Sequence, residues 1–63
     1  MRYEVWKTRK GYAVGKTSVG DLFLGYVRES NGEQYTSGVE FFKDTEDNRK
    51  FVMGMWELNK KFA

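Results

Sequence analysis

The chain has 63 residues, 17% of them aromatic, a formal charge of +2, and neither cysteine nor histidine. Those counts exclude disulfide staples, thiol chemistry, histidine-based triads and the common zinc sites, and no metal or other cofactor is expected. A domain of this length buries only about 60% of the surface its unfolded chain exposes, so it depends on large rings filling a small core or on a partner subunit.

The start of the chain, Met1 to Trp6, has no apolar signal region, and no run approaches the length of a membrane span. A cytoplasmic protein is the default expectation. Charge is unevenly spread: residues 1–20 hold five basic side chains and one acid, residues 21–42 one and four, and residues 43–63 five and four.

Residues 3–8, Tyr-Glu-Val-Trp-Lys-Thr, are aromatic and β-branched and predict a first strand. Arg9-Lys10-Gly11 fits a three-residue loop ending in a left-handed glycine, which sets Trp6 opposite Val14, Glu4 opposite Lys16 and Thr8 opposite Tyr12 in a second strand over residues 12–17. A two-residue loop at Lys10-Gly11 is the alternative. Burial of Tyr3 and Val5 or of Trp6, Tyr12 and Val14 is left open by this pattern. Thr17 to Asp21 reads as a polar connection.

Leu22 to Phe42 is the strongest signal, a β-hairpin turned at Asn31-Gly32, the pair best suited to a turn with positive φ at both central positions. Uninterrupted pairing from Ser30 and Glu33 sets Arg28 opposite Tyr35, Tyr26 opposite Ser37, Leu24 opposite Val39 and Leu22 opposite Phe41. One face then holds Leu22, Leu24, Tyr26, Tyr35, Val39 and Phe41 as core. The other holds Phe23, Val27 and Phe42 together with Glu29 and Glu40.

Asp44 or Thr45 can cap a helix whose first turn carries Glu46 and Asp47. Phe51, Met55, Leu58 and Phe62 recur at the helical period and predict the buried stripe, with Val52, Trp56 and Met53 widening it to one side and Lys60 and Lys61 at the negative end. Gly54 suggests close passage over the sheet. The fold class is therefore α+β: a single domain over residues 1–63, with a four-stranded antiparallel meander of two hairpins and one C-terminal helix on one face. The other face is expected to stay bare.

The Phe42-Lys43-Asp44-Thr45 junction and the strands-then-helix layout resemble integrase arm-binding domains and a plant transcription-factor class of DNA-binding domains. Those families read DNA with basic residues on the sheet, and Glu29 and Glu40 depart from that pattern. Gly15-Lys16-Thr17 is similar to the end of a phosphate-binding loop, but Lys10 stands where the motif needs its first glycine, and the stretch lies in a hairpin.

No residue pattern identifies a reaction, and a two-layer domain this small rarely offers the cleft that a carboxylate catalyst needs, so the expectation is a protein that is not an enzyme. The leading expectation is protein binding through Phe23, Val27, Phe42, Val52, Met53 and Trp56, apolar side chains surplus to a lone sheet's needs. Regulators and inhibitors encoded by mobile elements are among small chains of this kind. The alternatives are nucleic-acid binding through the basic first hairpin, with Arg2, Lys7, Arg9, Lys10 and Lys16 contacting phosphates, and a structural homodimer.

Overall fold

In a computed structural model, which describes residues 1–59, the chain forms β1 (Tyr3–Arg9), β2 (Tyr12–Thr17), β3 (Leu22–Ser30), β4 (Glu33–Phe42) and α1 (Glu46–Leu58). The strands make one antiparallel sheet in the order β1-β2-β3-β4, and the helix follows on one side. The α+β class is as the sequence predicts.

Both hairpins close with two residues at positive φ, Lys10 at 51° and Gly11 at 90°, Asn31 at 53° and Gly32 at 79°. The first loop is thus the shorter of the two alternatives, and Arg9, Thr8 and Lys7 face Tyr12, Ala13 and Val14. The expected pairs of Trp6 with Val14 and of Thr8 with Tyr12 do not form. An extra residue in β1, Trp6, then shifts the register, so that Val5 meets Gly15 and the expected Glu4–Lys16 pair is restored. The bulge brings Trp6 and Lys7 both to the helix side, where they meet Arg49, Trp56 and Glu57.

The second hairpin pairs as predicted from Ser30–Glu33 to Tyr26–Ser37, and there the prediction fails by one residue. Leu24 faces Glu40, Phe23 faces Phe41 and Leu22 faces Phe42. The cause is a second bulge: Gly38, at φ 62°, adds a residue opposite Gly25. The backbones close tightly there, since a Cβ on Gly25 would lie 2.6 Å from Val39 Cα and 2.7 Å from Gly38 O. Because side chains alternate along a strand, the extra residue carries Glu40 and Phe42 to the helix side and Val39 and Phe41 to the other.

The sheet therefore has two apolar clusters. Under the helix, Val14, Leu22, Leu24, Val52 and Trp56 are buried, with Trp6, Tyr12, Phe42, Met53 and Met55 around them. On the opposite face Ala13, Phe23 and Val27 are buried against Tyr3 and Val39. Each of the two sets left open for the first hairpin thus has packed members, Tyr3 on one side and Trp6, Tyr12 and Val14 on the other.

That second cluster corrects the expectation of a bare face. Although β1 and β4 are opposite edges of the sheet, the tip of the second hairpin reaches the start of β1. The Gln34 carboxamide accepts from the Tyr3 N–H at 2.8 Å and donates to the Tyr3 carbonyl at 3.0 Å, while Arg2 pairs with Glu29 at 3.4 Å. Bulged, twisted strands curl, and this sheet curls over its helix-free side until the chain's own hairpin covers Phe23. The Tyr3 ring stands edge-on to Phe23 with centroids 5.0 Å apart, and the missing side chain of Gly15 leaves room for the Glu4 backbone and the Phe23 ring.

The helix is also turned relative to its predicted stripe. Val52 and Trp56 face the sheet, whereas Phe51 is 51% and Leu58 73% exposed. The largest ring decides the rotation, because burying Trp56 removes more apolar area than burying Leu58 and its N–H finds a carbonyl on β2. Gly54 consequently points into open space instead of lying over the sheet. Thr45 caps the helix, its Oγ1 accepting from the Asn48 N–H at 3.1 Å. Phe62 and the Lys60-Lys61 end of the predicted helix lie outside the described residues.

Two substitutions test this account by urea denaturation. Gly25→Ala should destabilise by about 1–3 kcal/mol, because the strands must part at the bulge. Gly54→Ala should stabilise by about 0.5–1 kcal/mol, because it adds helix propensity without a new contact.

Candidate functional site

Of the six apolar candidates, four are buried and two half-buried. Phe23 and Val52 are 0% exposed, Trp56 5% and Val27 9%, while Phe42 and Met53 are half-buried against the helix-side cluster. The hairpin tip that curls over the sheet explains Phe23 and Val27, the register shift at Gly38 explains Phe42, and the helix rotation explains Val52 and Trp56. As buried positions, their replacement by small or polar residues would test folding before it tested binding.

Trp56 organises the junction between β1, β2 and α1. Its Nε1–H donates to the Tyr12 carbonyl at 2.9 Å, and the Arg9 guanidinium lies 4.0 Å over its ring, with Lys7 Nζ at 5.6 Å. Arg9 Nη1 is buried without a hydrogen-bond partner, so the indole face is the compensation it receives. Asn59 Nδ2 donates to the Tyr12 hydroxyl at 2.7 Å. Burial raises the Tyr12 phenol above its ordinary value, Asn59 opposes this, and nearby Tyr26 and Glu40 add to it.

The basic residues of the first hairpin are distributed over the molecule. Arg2 reaches Glu29 and the Gly32 carbonyl, Lys7 reaches Glu57 at 3.4 Å, Lys16 reaches Asp44 at 2.9 Å, and Arg9 lies on Trp56. Lys10 alone of the five has no such contact among the described residues. The Arg2 and Lys7 pairs are solvent-exposed and contribute little to stability, but together with Lys16–Asp44 they set acids beside the charge that a phosphate-contacting finger would need to present.

Asp44 holds the helix start to the sheet. Its two carboxylate oxygens accept from Arg49 Nε and Nη2 at 2.7 and 2.9 Å, and Oδ2 also pairs with Lys16 on β2. The Arg49 fork and then Lys16 keep the carboxyl well below the usual carboxylate range. A solvent-open depression of about 350 Å³ lies nearby, lined by Arg2, Tyr3, Glu4, Thr17 and Ser18. It contains one carboxylate, not the pair that acid-base hydrolysis uses.

The apolar surface left over is elsewhere. Phe51 and Leu58 are exposed and, with half-buried Met55 between them at i, i+4 and i+7, mark one flank of α1, on which the Phe51 ring meets Phe42 with centroids 5.7 Å apart. The 3.6-residue period found this stripe and assigned it to the core, which holds for Met55 but not for Phe51 and Leu58, since periodicity locates an apolar flank without saying what covers it. β4, which the Phe42–Phe51 contact joins to this flank, pairs only with β3 and so keeps one edge of main-chain groups free. No helix among the described residues is long and apolar enough to cross a membrane. A comparison with known families, characterised proteins and solved structures finds no match to this chain.

Two measurements check these contacts. Trp56→Phe keeps an aromatic ring but removes the pyrrole edge and strands the Tyr12 carbonyl, and should cost about 1–3 kcal/mol in thermal or urea melts. Because the folded Asp44 carboxyl is more acidic than its ordinary value of 3.8, its contribution is present above that pH and is lost as pH falls below it. The wild type should therefore lose stability more steeply than Asp44→Asn in acid melts below that value.

Proposed function

We propose that this chain is a small non-enzymatic binding protein that acts by docking another protein on the outer flank of α1. The observation that carries the reading is the exposed pair Phe51 and Leu58, joined by half-buried Met55, on a helix whose buried residues are Val52 and Trp56. An amphipathic helix of a self-sufficient domain keeps one apolar face, and that face packs on the core. This helix extends past that face: Met55 reaches the core and Phe51 touches Phe42, yet Phe51 and Leu58 keep half or more of their surface in solvent.

Several features support docking over a scatter of ordinary exposed side chains. The three residues are consecutive along one flank, include an aromatic ring and a methionine, and continue into half-buried Phe42. Apolar anchors at i, i+4 and i+7 are the pattern by which helices are gripped in protein complexes. The basic first hairpin offers less, because most of its charge is engaged internally. A regulator or inhibitor acting by occupancy needs only such a surface and no reaction centre.

Leu58→Glu tests the reading, with Val19→Glu, also at an exposed apolar position but in the connection between β2 and β3, as control. Both variants should fold with stability within about 0.5 kcal/mol of wild type. With the immobilised protein presented to an extract of its native cells, Leu58→Glu should lose the bound protein that wild type and Val19→Glu retain. Equal capture by all three would defeat the reading.

A further inference from the structure

The two edges of the sheet differ in a way that specifies what the docking surface takes. β1 is closed to pairing: the Gln34 side chain occupies both the N–H and the carbonyl of Tyr3, the bulge at Trp6 interrupts the strand, and Lys7 and Arg9 follow. These are the devices by which natural sheets guard an edge. β4 has a bulge at Gly38 but no lysine, arginine or proline along its length. Counting from the hydrogen-bonded pair Ser30–Glu33 that flanks the two-residue turn, the N–H and carbonyl of Thr36, and beyond the bulge those of Phe41, point away from β3.

From this we infer that β4 is a strand-addition site that takes an extended, basic segment of another polypeptide, with apolar side chains at alternate positions. The inference rests on the docking reading above and gives it an occupant. Main-chain bonds to the free edge call for an extended backbone, and period-two alternation turns every second side chain of an added strand toward the flank of Phe51, Met55 and Leu58. Charge supplies the rest. The charged side chains within β4 are Glu33 and Glu40, neither with an ion-pair partner among the described residues. Arg28, opposite Tyr35 on β3, lays its guanidinium against Gly11 at the other hairpin's tip and so leaves these acids to the edge. A second copy pairing β4 with β4 would bring four carboxylates to one seam, whereas a basic strand neutralises two.

The test uses two blocked heptapeptides, Lys-Val-Lys-Val-Lys-Val-Lys and its glutamate counterpart, titrated into isotope-labelled full-length protein and followed by amide shifts and hydrogen exchange. The lysine peptide should protect the Thr36 and Phe41 amides, shift Met55 and Leu58, and bind about five- to tenfold more tightly than the glutamate peptide, as two exposed ion pairs would give. Glu40→Lys should erase that preference. Thr36→Pro, which removes an outward N–H and leaves the β3–β4 ladder intact, should abolish binding of both peptides while the fold is retained. Binding of neither peptide, equal binding of both, shifts away from β4, or self-association through β4 seen in sedimentation would overturn the inference. Capture lost in Leu58→Glu but kept in Thr36→Pro would overturn strand addition alone, and capture kept in both would overturn the docking reading beneath it.

Discussion

One added residue in β4, opposite a glycine that has no room for a side chain, governs how this small chain makes two cores from one helix. Without it, Phe41 and Phe42 would each lie on the other side of the sheet, and Glu40 would stand on the helix-free side. With it, Phe42 supports the helix and Phe41 joins Tyr3 beside Phe23. The same irregularity adds twist, which lets the hairpin tip meet β1. A chain too short for a second covering helix thus covers the second face with its own sheet.

The elements and their order were legible in the sequence because each rests on local chemistry. Asn31-Gly32 specifies its turn, Thr45 with Glu46 and Asp47 specifies the helix start, and alternation specifies the strands. What was not legible is where the alternation breaks. Trp6 carries no local mark of a bulge, and Gly38, although a glycine inside a strand is a known bulge signal, does not by itself say whether the register shifts there. The bare-face expectation failed for that reason: it treated the meander as flat, and curvature arises from residues whose role only the folded sheet reveals.

The candidate site was legible in part. Phe51, Met55 and Leu58 stood out by spacing, and Met55 does pack on the core; the error lay in burying Phe51 and Leu58 while sending Val52 and Trp56 outward. A helical wheel ranks flanks by apolar content, but the choice here depends on a specific partner, the Tyr12 carbonyl that receives the indole N–H. Basic residues misled in a related way. Their clustering in sequence does not survive folding, because the acids that answer them, Glu29, Asp44 and Glu57, come from β3, the loop before the helix and the helix itself.

The Gln34 clasp has a bearing on how the molecule opens. All ladder contacts join strands adjacent in sequence, so the hairpins form early and cheaply, whereas joining Tyr3 to Gln34 requires ordering the intervening chain. Two exchangeable side-chain bonds and an exposed ion pair hold that closure, which places it among the first parts of the native state to fluctuate apart. Its release uncovers the Phe23 ring and the backbone of β1 together, so the guarded edge stays guarded only while the tip is docked.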